Sequence, residues 1–540
     1  MEKIRTDVLV IGGGGAGVRA ALAAAEAGTQ VLLLSRSPLG KGGLTPTANG
    51  GYHAACVPGD SPELHAAELI RLGRGLNDRN LVHTLTQNAL NEAKRLGEFG
   101  ARITWEVPPK PHEPEMTYPR SLFIPGREMM GALRKGLKRT NRVTLREYCL
   151  TLGLLTVDGT VQGAMFLDIL RGILYLCESK VTILATGSLG ELFSINAQEP
   201  MGIPTGSTGS GYVLALEAGA DLIDMEMIQF VPVPVQPSLI WGLRFLPWPH
   251  LKNGKGEEFL PSGVGEYSHE AARAILREIK EGRGPISMDL RHKEPPAKFR
   301  HPLAEKRYRK LQEFSVTPYQ RRIILELGAL FAMGGIHINE RGETTVNRLY
   351  AAGEVAGNVH GARRVSGNAL PEIIVFGARA GHFAALRAKE EKSYPGVSPG
   401  ETESLRNFFM ERIGKEAKGA DPREIRAELR KIASEFLSVI RSQEGLEKAK
   451  ERITNLKKEW NASKVAVKSL ALCLPLMEAF DVYWLLETAE MVCQAALMRE
   501  ESRGFHFRED FPQERDEWLK HTVVRKKGDE LWVSAKPVVL

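Results

Sequence analysis

Gly12, Gly14 and Gly17 stand in the pattern G-x-G-x-x-G within the run Gly12-Gly13-Gly14-Gly15-Ala16-Gly17. Glycines so spaced suit a dinucleotide pyrophosphate when they join a strand to a helix. The first permits the tight turn, the second lets the backbone approach the phosphates, and the third lets the helix pack on the strand. The helix N-terminus then turns free N–H groups and the positive end of its dipole toward the phosphates. The flanking residues supply that context. Thr6 to Ile11 (TDVLVI) reads as a buried parallel strand, Val18 to Ala27 (VRAALAAAEA) as a helix ended by Gly28, and Gln30 to Leu34 (QVLLL) as a second strand. A dinucleotide site expects an acidic residue near the end of that second strand to hold ribose hydroxyls. Ser35-Arg36 stands there instead, and a serine hydroxyl still offers a hydrogen bond. The bland alternative is a glycine-rich turn of an unrelated α/β fold; the strand–turn–helix–strand order favours the nucleotide site.

These elements open a chain of 540 residues, too long for one ordinary core, so roughly two to four structural units are expected. With 43% hydrophobic and 25% charged residues the composition is globular rather than disordered. The charge of +7 comes from 72 basic and 65 acidic side chains that are scattered rather than massed, which disfavours a nucleic-acid partner. Cys56, Cys149, Cys177, Cys473 and Cys493 lie far apart with no C-x-x-C pair, so no metal site or cluster is expected on this chain, and a reducing compartment is. No apolar run approaches the ~18 to 20 residues of a membrane span, and the N-terminus runs straight into a strand. The expected location is cytoplasmic, with any membrane association coming through a partner.

Further segments follow in order. Thr45-Pro46-Thr47-Ala48-Asn49-Gly50-Gly51 comes after the second strand, and Ile183-Leu184-Ala185-Thr186-Gly187 ends another apolar strand. Gly209-Ser210-Gly211 opens a helix leading to Asp224-Met225-Glu226 and Gln229-Phe230. Met333-Gly334-Gly335-Ile336 precedes Leu349 to Val355 (LYAAGEV), then His360-Gly361-Ala362-Arg363-Arg364 and Gly367-Asn368-Ala369-Leu370. Glu501-Ser502-Arg503-Gly504, Asp510-Phe511-Pro512 and Trp518 to Thr522 (WLKHT) stand near the end. The series resembles, over nearly the whole chain, the flavoprotein subunit of succinate dehydrogenase and fumarate reductase, a family that includes L-aspartate oxidase.

The resemblance implies an α/β fold: a Rossmann-like FAD-binding domain (1–232 and 334–395) interrupted by an α+β capping domain (233–333), then a helical domain (396–500) and a small C-terminal domain (501–540). Helical periodicity over 402–457 and 465–500, and strand character over 523–540 around Lys527-Gly528-Asp529, agree with it. The proline- and tryptophan-rich stretch Val231 to Pro249 reads as the crossing into the cap. The cofactor implied is FAD, contacted by Gly12, Gly14, Gly15, Ala16, Gly17, Ser35, Arg36, Gly43, Thr45, Gly50, Gly51, Ala185, Thr186, Gly187, Glu354, Asn368 and Leu370. Glu354 would bind ribose or ribityl hydroxyls; its alternative is a helix-start carboxylate satisfying backbone N–H groups. Leu44 stands where the dehydrogenases carry the histidine that bonds to the flavin, so attachment is expected to be non-covalent. His53 reads as a packed or surface imidazole.

Members that interconvert fumarate and succinate clamp two carboxylates with a polar set, and here that set is mixed. Arg364 and His360 match it, and the fork of Arg364 suits a carboxylate. Val231 and Val233 replace the histidine and threonine of Q-F-H-P-T, and Leu330 replaces the histidine before M-G-G. The proton-delivering arginine falls near Ser268, so a cap residue between Tyr267 and Arg273, with Arg273 itself a candidate, is assigned the proton. The pocket so read takes one carboxylate on an apolar or aromatic body, with Trp241, Phe245 and Trp248 as added aromatic surface. The other reading is a cap whose true ligands are Arg244, His250, His269 or Arg273. The resemblance implies an FAD-dependent oxidoreductase that exchanges hydride between FAD and a carboxylate-bearing substrate, its electrons passing to an iron–sulfur partner subunit in preference to oxygen. Alternatives are an aspartate-oxidase-like enzyme and a catalytically silent flavin-bearing electron-transfer subunit.

Overall fold

The computed structural model describes residues 1–104, 115–197, 206–236, 251–261, 263–265, 268–289, 291, 309, 312–313, 320, 322–394 and 396–539. The first strand, Glu2–Ile11, lies inside a seven-stranded sheet, parallel to Val31–Leu34 on one side and Ile173–Leu184 on the other. Val143–Arg146 and Leu349–Ala351 extend the parallel part. Thr160–Asp168 and Cys149–Val157 add antiparallel strands. Val8, Leu9, Val10 and Leu33 are wholly buried, as strands covered on both faces by helices must be.

The helix Gly15–Glu26 packs against Ala369–Glu390 at close range. A Cβ on Gly377 would lie 2.6 Å from Ala16 O, and one on Gly381 2.1 Å from Ala20 O. Small residues on both partners thus set the distance between the two helices that flank the cofactor region. Ala369–Glu390 is, among the described residues, the one helix long and apolar enough to cross a membrane; 67% of its apolar window is buried within the fold.

A second, antiparallel sheet runs Ile228–Gln236, Ile323–Ala332, Ile286–Met288, Leu251–Lys252 and has its own small core of Leu251, Ile275, Ile286, Met288, Ile323 and Leu325. The stretch expected to be a crossing is therefore strand as far as Gln236. Pro232 and Pro234 fit because Ile228–Gln236 is the sheet edge, where a missing N–H costs nothing. Residues 237–250, with Trp241, Arg244, Phe245, Trp248 and His250, lie outside the described residues, as does Tyr267.

The helical periodicity after residue 400 resolves into Pro399–Glu411, Pro422–Phe436, Gln443–Ala462 and Leu474–Met498. The chain ends in the hairpin Lys520–Lys527 and Glu530–Pro537, which pairs with Leu222–Ile223. Arg499, fully buried, ties that end to the first unit, reaching Glu226 Oε1 at 2.6 Å, Asp224 Oδ1 at 3.1 Å and Glu501 Oε1 at 2.9 Å. His521 Nδ1 joins Asp224 Oδ2 at 2.6 Å. The motifs around Asp224, Glu501 and His521 are thus parts of one structural network.

Candidate active site

A cavity of about 510 Å³ runs across the C-terminal ends of the parallel strands. The glycine turn and Ala185 to Gly187 line its middle, Ser35 and Arg36 one end, and Leu330, Phe331, Glu354, Arg364 and Leu370 the other. Gly43, Thr45, Gly50 and Gly51 also line it.

The three motif glycines do three different things. Gly12 has φ 127°, and a Cβ there would sit 2.1 Å from Ala185 O. A Cβ on Gly17, buried in the helix, would sit 1.9 Å from Gly12 O, so only glycine lets the helix approach the strand. At Gly14 a Cβ meets nothing within 4 Å, and the backbone is open to the cavity. Gly14 caps the helix without a side-chain hydrogen bond, which leaves the first-turn N–H groups for an anion. One of them is used internally: Gly15 N–H donates to Thr45 Oγ1 at 3.1 Å. The turn fits a dinucleotide pyrophosphate.

Glu354 faces the cavity, where its Oε1 accepts from Ser188 Oγ at 2.7 Å and from the Ala332 N–H at 3.1 Å. Glu354 thus does satisfy a backbone N–H, as the alternative had it, but at the end of a strand rather than at a helix start. Burial pushes the carboxyl up to about 7, against the pull of those two donors and of Arg364. It remains able to accept hydroxyl hydrogens from a bound ligand.

Arg364 lines the same end, its guanidinium 4.7 Å from the centre of the Phe331 ring. Gln229 Nε2 donates to Arg364 O at 3.3 Å and fixes that backbone. Leu330, at the position of a family histidine, lines the cavity beside Phe331.

Other expected residues sit behind the wall. His360 is buried, its Nε2 3.1 Å from Glu372 Oε2 and its ring edge-on to Phe331, and it does not line the cavity. Asn368, expected against the flavin, is instead wholly buried. Its Oδ1 meets His65 Nε2 at 3.0 Å, and its Nδ2 meets His53 Nδ1 at 3.2 Å and Val365 O at 3.1 Å. His53 is a packed imidazole, and a Cβ on Gly367 would lie 2.3 Å from its Nε2. Arg273 also lies off the cavity, its guanidinium 4.8 Å from the Phe507 ring centre. Ser268, where the proton-delivering arginine would fall, caps the helix His269–Lys280 by accepting from the Ala271 N–H at 3.1 Å. His269 Nε2 lies 3.0 Å from Glu270, while burial and the nearby Arg273 and Arg363 hold the ring well below the usual imidazole range. Among the described residues between 251 and 322, none lines the cavity.

Sequence reasoning missed Ser188 and Phe331, and it missed Glu478, Asp481 and Trp484, which line the cavity from a helix more than 400 residues beyond the glycine turn. Nothing in their spacing signals this; the fold alone brings them there. Among the described residues no His, Cys, Asp and Glu group could hold a metal ion.

Comparison with known proteins gives the family. The family described as FAD binding domain matches residues 7–370, and that described as Fumarate reductase flavoprotein C-term matches residues 426–540. The chain is 35% identical, over 98% of its length and 99% of the relative's, to a subunit of the fumarate reductase (CoM/CoB) of Methanothermobacter marburgensis. It is 30% identical to L-aspartate oxidase of Streptomyces coelicolor, over 97% of this chain and 92% of that protein. The solved structure of Mycobacterium smegmatis Sdh1 in complex with UQ1 superposes with a TM-score of 0.88 at 27% identity, over 100% of this chain and 95% of that one. The chain belongs to the succinate dehydrogenase/fumarate reductase flavoprotein family. It is an FAD-dependent oxidoreductase.

Proposed function

We propose that this flavoprotein holds its FAD in the cavity and there reduces or oxidises the carbon–carbon bond next to a carboxylate, using the Arg364 clamp beside a wall that, at the described residues Leu330 and Phe331, is apolar. Bound FAD supplies the two-electron chemistry. The observation that carries the reading is Arg364: it lines the cavity with its guanidinium on the Phe331 ring and its carbonyl held by Gln229. Its planar fork binds one carboxylate in a fixed plane, which orients the adjacent carbon. Leu330 and Phe331 exclude water and offer no donor to a second carboxylate. A substrate with one carboxylate and an apolar or aromatic body fits this wall better than a small dicarboxylate.

Leu44 lines the cavity and has no atom that could bond to the flavin, which supports non-covalent attachment. Glu354 takes cofactor hydroxyls. The five cysteines are dispersed, and burial pushes the thiols of Cys149, Cys177 and Cys493 up to about 12. Such thiols are poor cluster ligands, and the likeness to fumarate reductase flavoprotein subunits favours a separate iron–sulfur subunit over oxygen as the electron exit.

Fumarate is the compound to beat, given the name of the relative from Methanothermobacter marburgensis. With a reduced dye as electron donor, an α,β-unsaturated monocarboxylate with an apolar body should be reduced at a higher kcat/KM than fumarate. A clear preference for fumarate overturns the one-clamp reading, and steady peroxide release with aspartate favours the aspartate-oxidase reading.

A further inference from the structure

The end of the cavity away from Arg364 is walled by the C-terminal helices. Glu478 and Asp481 stand one turn apart on Leu474–Met498, so they share a helix face, and both line the cavity together with Trp484. Arg36 grips Asp481 with both ends of its fork, Nη1–Oδ1 at 2.5 Å and Nη2–Oδ2 at 2.6 Å. Arg426, on Pro422–Phe436, reaches Glu478 Oε1 at 2.8 Å and also pairs with Glu191, whose Oε1 accepts the Gly206 N–H at 2.6 Å. Arg36, Glu191, Gly206 and Arg426 line the cavity too. Two arginines therefore hold three carboxylates at the wall, and Glu191 is further engaged by the Gly206 N–H.

The second strand makes the placement meaningful. A dinucleotide site calls for a carboxylate near that strand's end. Here Arg36 cannot accept a hydrogen bond, and the Ser35 hydroxyl donates to Ser37 O at 2.6 Å. Asp481 arrives at this point because Arg36 draws it there. Each carboxylate has about four lone-pair positions, and among the described residues Glu478 Oε2 makes no hydrogen bond.

We propose that Glu478 and Asp481 supply the acidic group the second strand lacks, accepting hydrogens from the adenosine half of FAD. The C-terminal helices thus complete the cofactor site, and the cofactor in turn holds them against the first unit. This rests on the reading of the cavity as the FAD site. Arg36 and Arg426 are positioning residues that keep the carboxylates aimed.

The test uses the full chain stripped of cofactor, with FAD, ADP and FMN titrated separately into wild type, Glu478→Gln and Asp481→Asn. FAD and ADP should each bind about tenfold more weakly to either variant, from the loss of a charge-assisted acceptor. FMN, which lacks the adenosine, should bind as in wild type, and the absorption spectrum of the bound flavin should not move. Lys457→Gln serves as the control for helix damage: Lys457 pairs with Glu487 and Glu490 of the same helix, and its loss should leave all three affinities unchanged. Unchanged FAD and ADP affinity in both variants overturns the inference, as does an FMN loss equal to the FAD loss. Wild type that binds no FAD removes the cavity assignment itself, a different outcome from a holoprotein whose variants bind normally.

Discussion

Glu354→Gln keeps the shape of the cavity wall and the oxygen that Ser188 Oγ and the Ala332 N–H approach, and it removes the charge. In the wild-type chain burial raises this carboxyl from 4.5 to about 7. An acid held above its unfolded value binds more protons in the folded state, so its contribution is fully present below 4.5 and is lost as pH rises through about 7. From this group alone the cofactor-free chain should be about 2.5 kcal/mol less stable at about pH 8 than at about pH 5. Cofactor affinity runs the other way, because FAD hydroxyls donate to the ionised form. If the carboxyl is ionised throughout in the holoprotein, FAD binds up to about 90-fold more tightly at the higher pH. Quenching of FAD fluorescence by the stripped chain gives the affinities, and urea unfolding of the same preparation gives the stabilities. The glutamine variant should flatten both slopes. Wild-type affinity that does not rise with pH, or a variant that keeps the rise, refutes a titrating carboxylate against the cofactor hydroxyls.

Gly12→Ala, with its Cβ 2.1 Å from Ala185 O, should destabilise the chain by more than about 2 kcal/mol in thermal melts. Gly14→Ala, which meets only the open cavity, should leave the melt of the stripped chain intact and weaken FAD by at least about tenfold. Acid precipitation should release the yellow flavin into the supernatant; colour retained in the pellet contradicts non-covalent attachment. Arg499→Met removes the buried guanidinium shared by Asp224, Glu226 and Glu501 and should cost about 3 to 5 kcal/mol of stability in urea unfolding, with the flavin spectrum of the folded fraction unchanged.

The cofactor half of the site was legible in the sequence because its requirements are local. Gly12, Gly14 and Gly17 act through the backbone, and a backbone constraint leaves its mark in a few consecutive residues. Leu44 carries no nucleophile, so the expectation of non-covalent attachment rests on that residue type alone and awaits the acid-precipitation result. Long-range partners left no such mark. Nothing near Glu354 predicts that Ala332 and Ser188 are its donors, or that burial raises its pKa. Asn368 and His360 were placed by motif on the cavity side, yet each is drawn back by a buried partner, His53 and His65 for one and Glu372 for the other. A motif fixes where a residue sits in the chain; the partner that turns its side chain decides what it touches. Arg273 illustrates the same limit, because the Phe507 ring that holds it belongs to a segment some 230 residues away.

The central claim is that Arg364 brings a single carboxylate to the FAD in this cavity. Titrating oxidised holoprotein with α,β-unsaturated monocarboxylates, and following the flavin absorption band, tests it directly. Wild type should give a saturable spectral shift, Arg364→Ala should abolish it while retaining FAD, and Arg364→Lys should restore only part of the affinity. An equal shift at equal affinity in the alanine variant would contradict the claim.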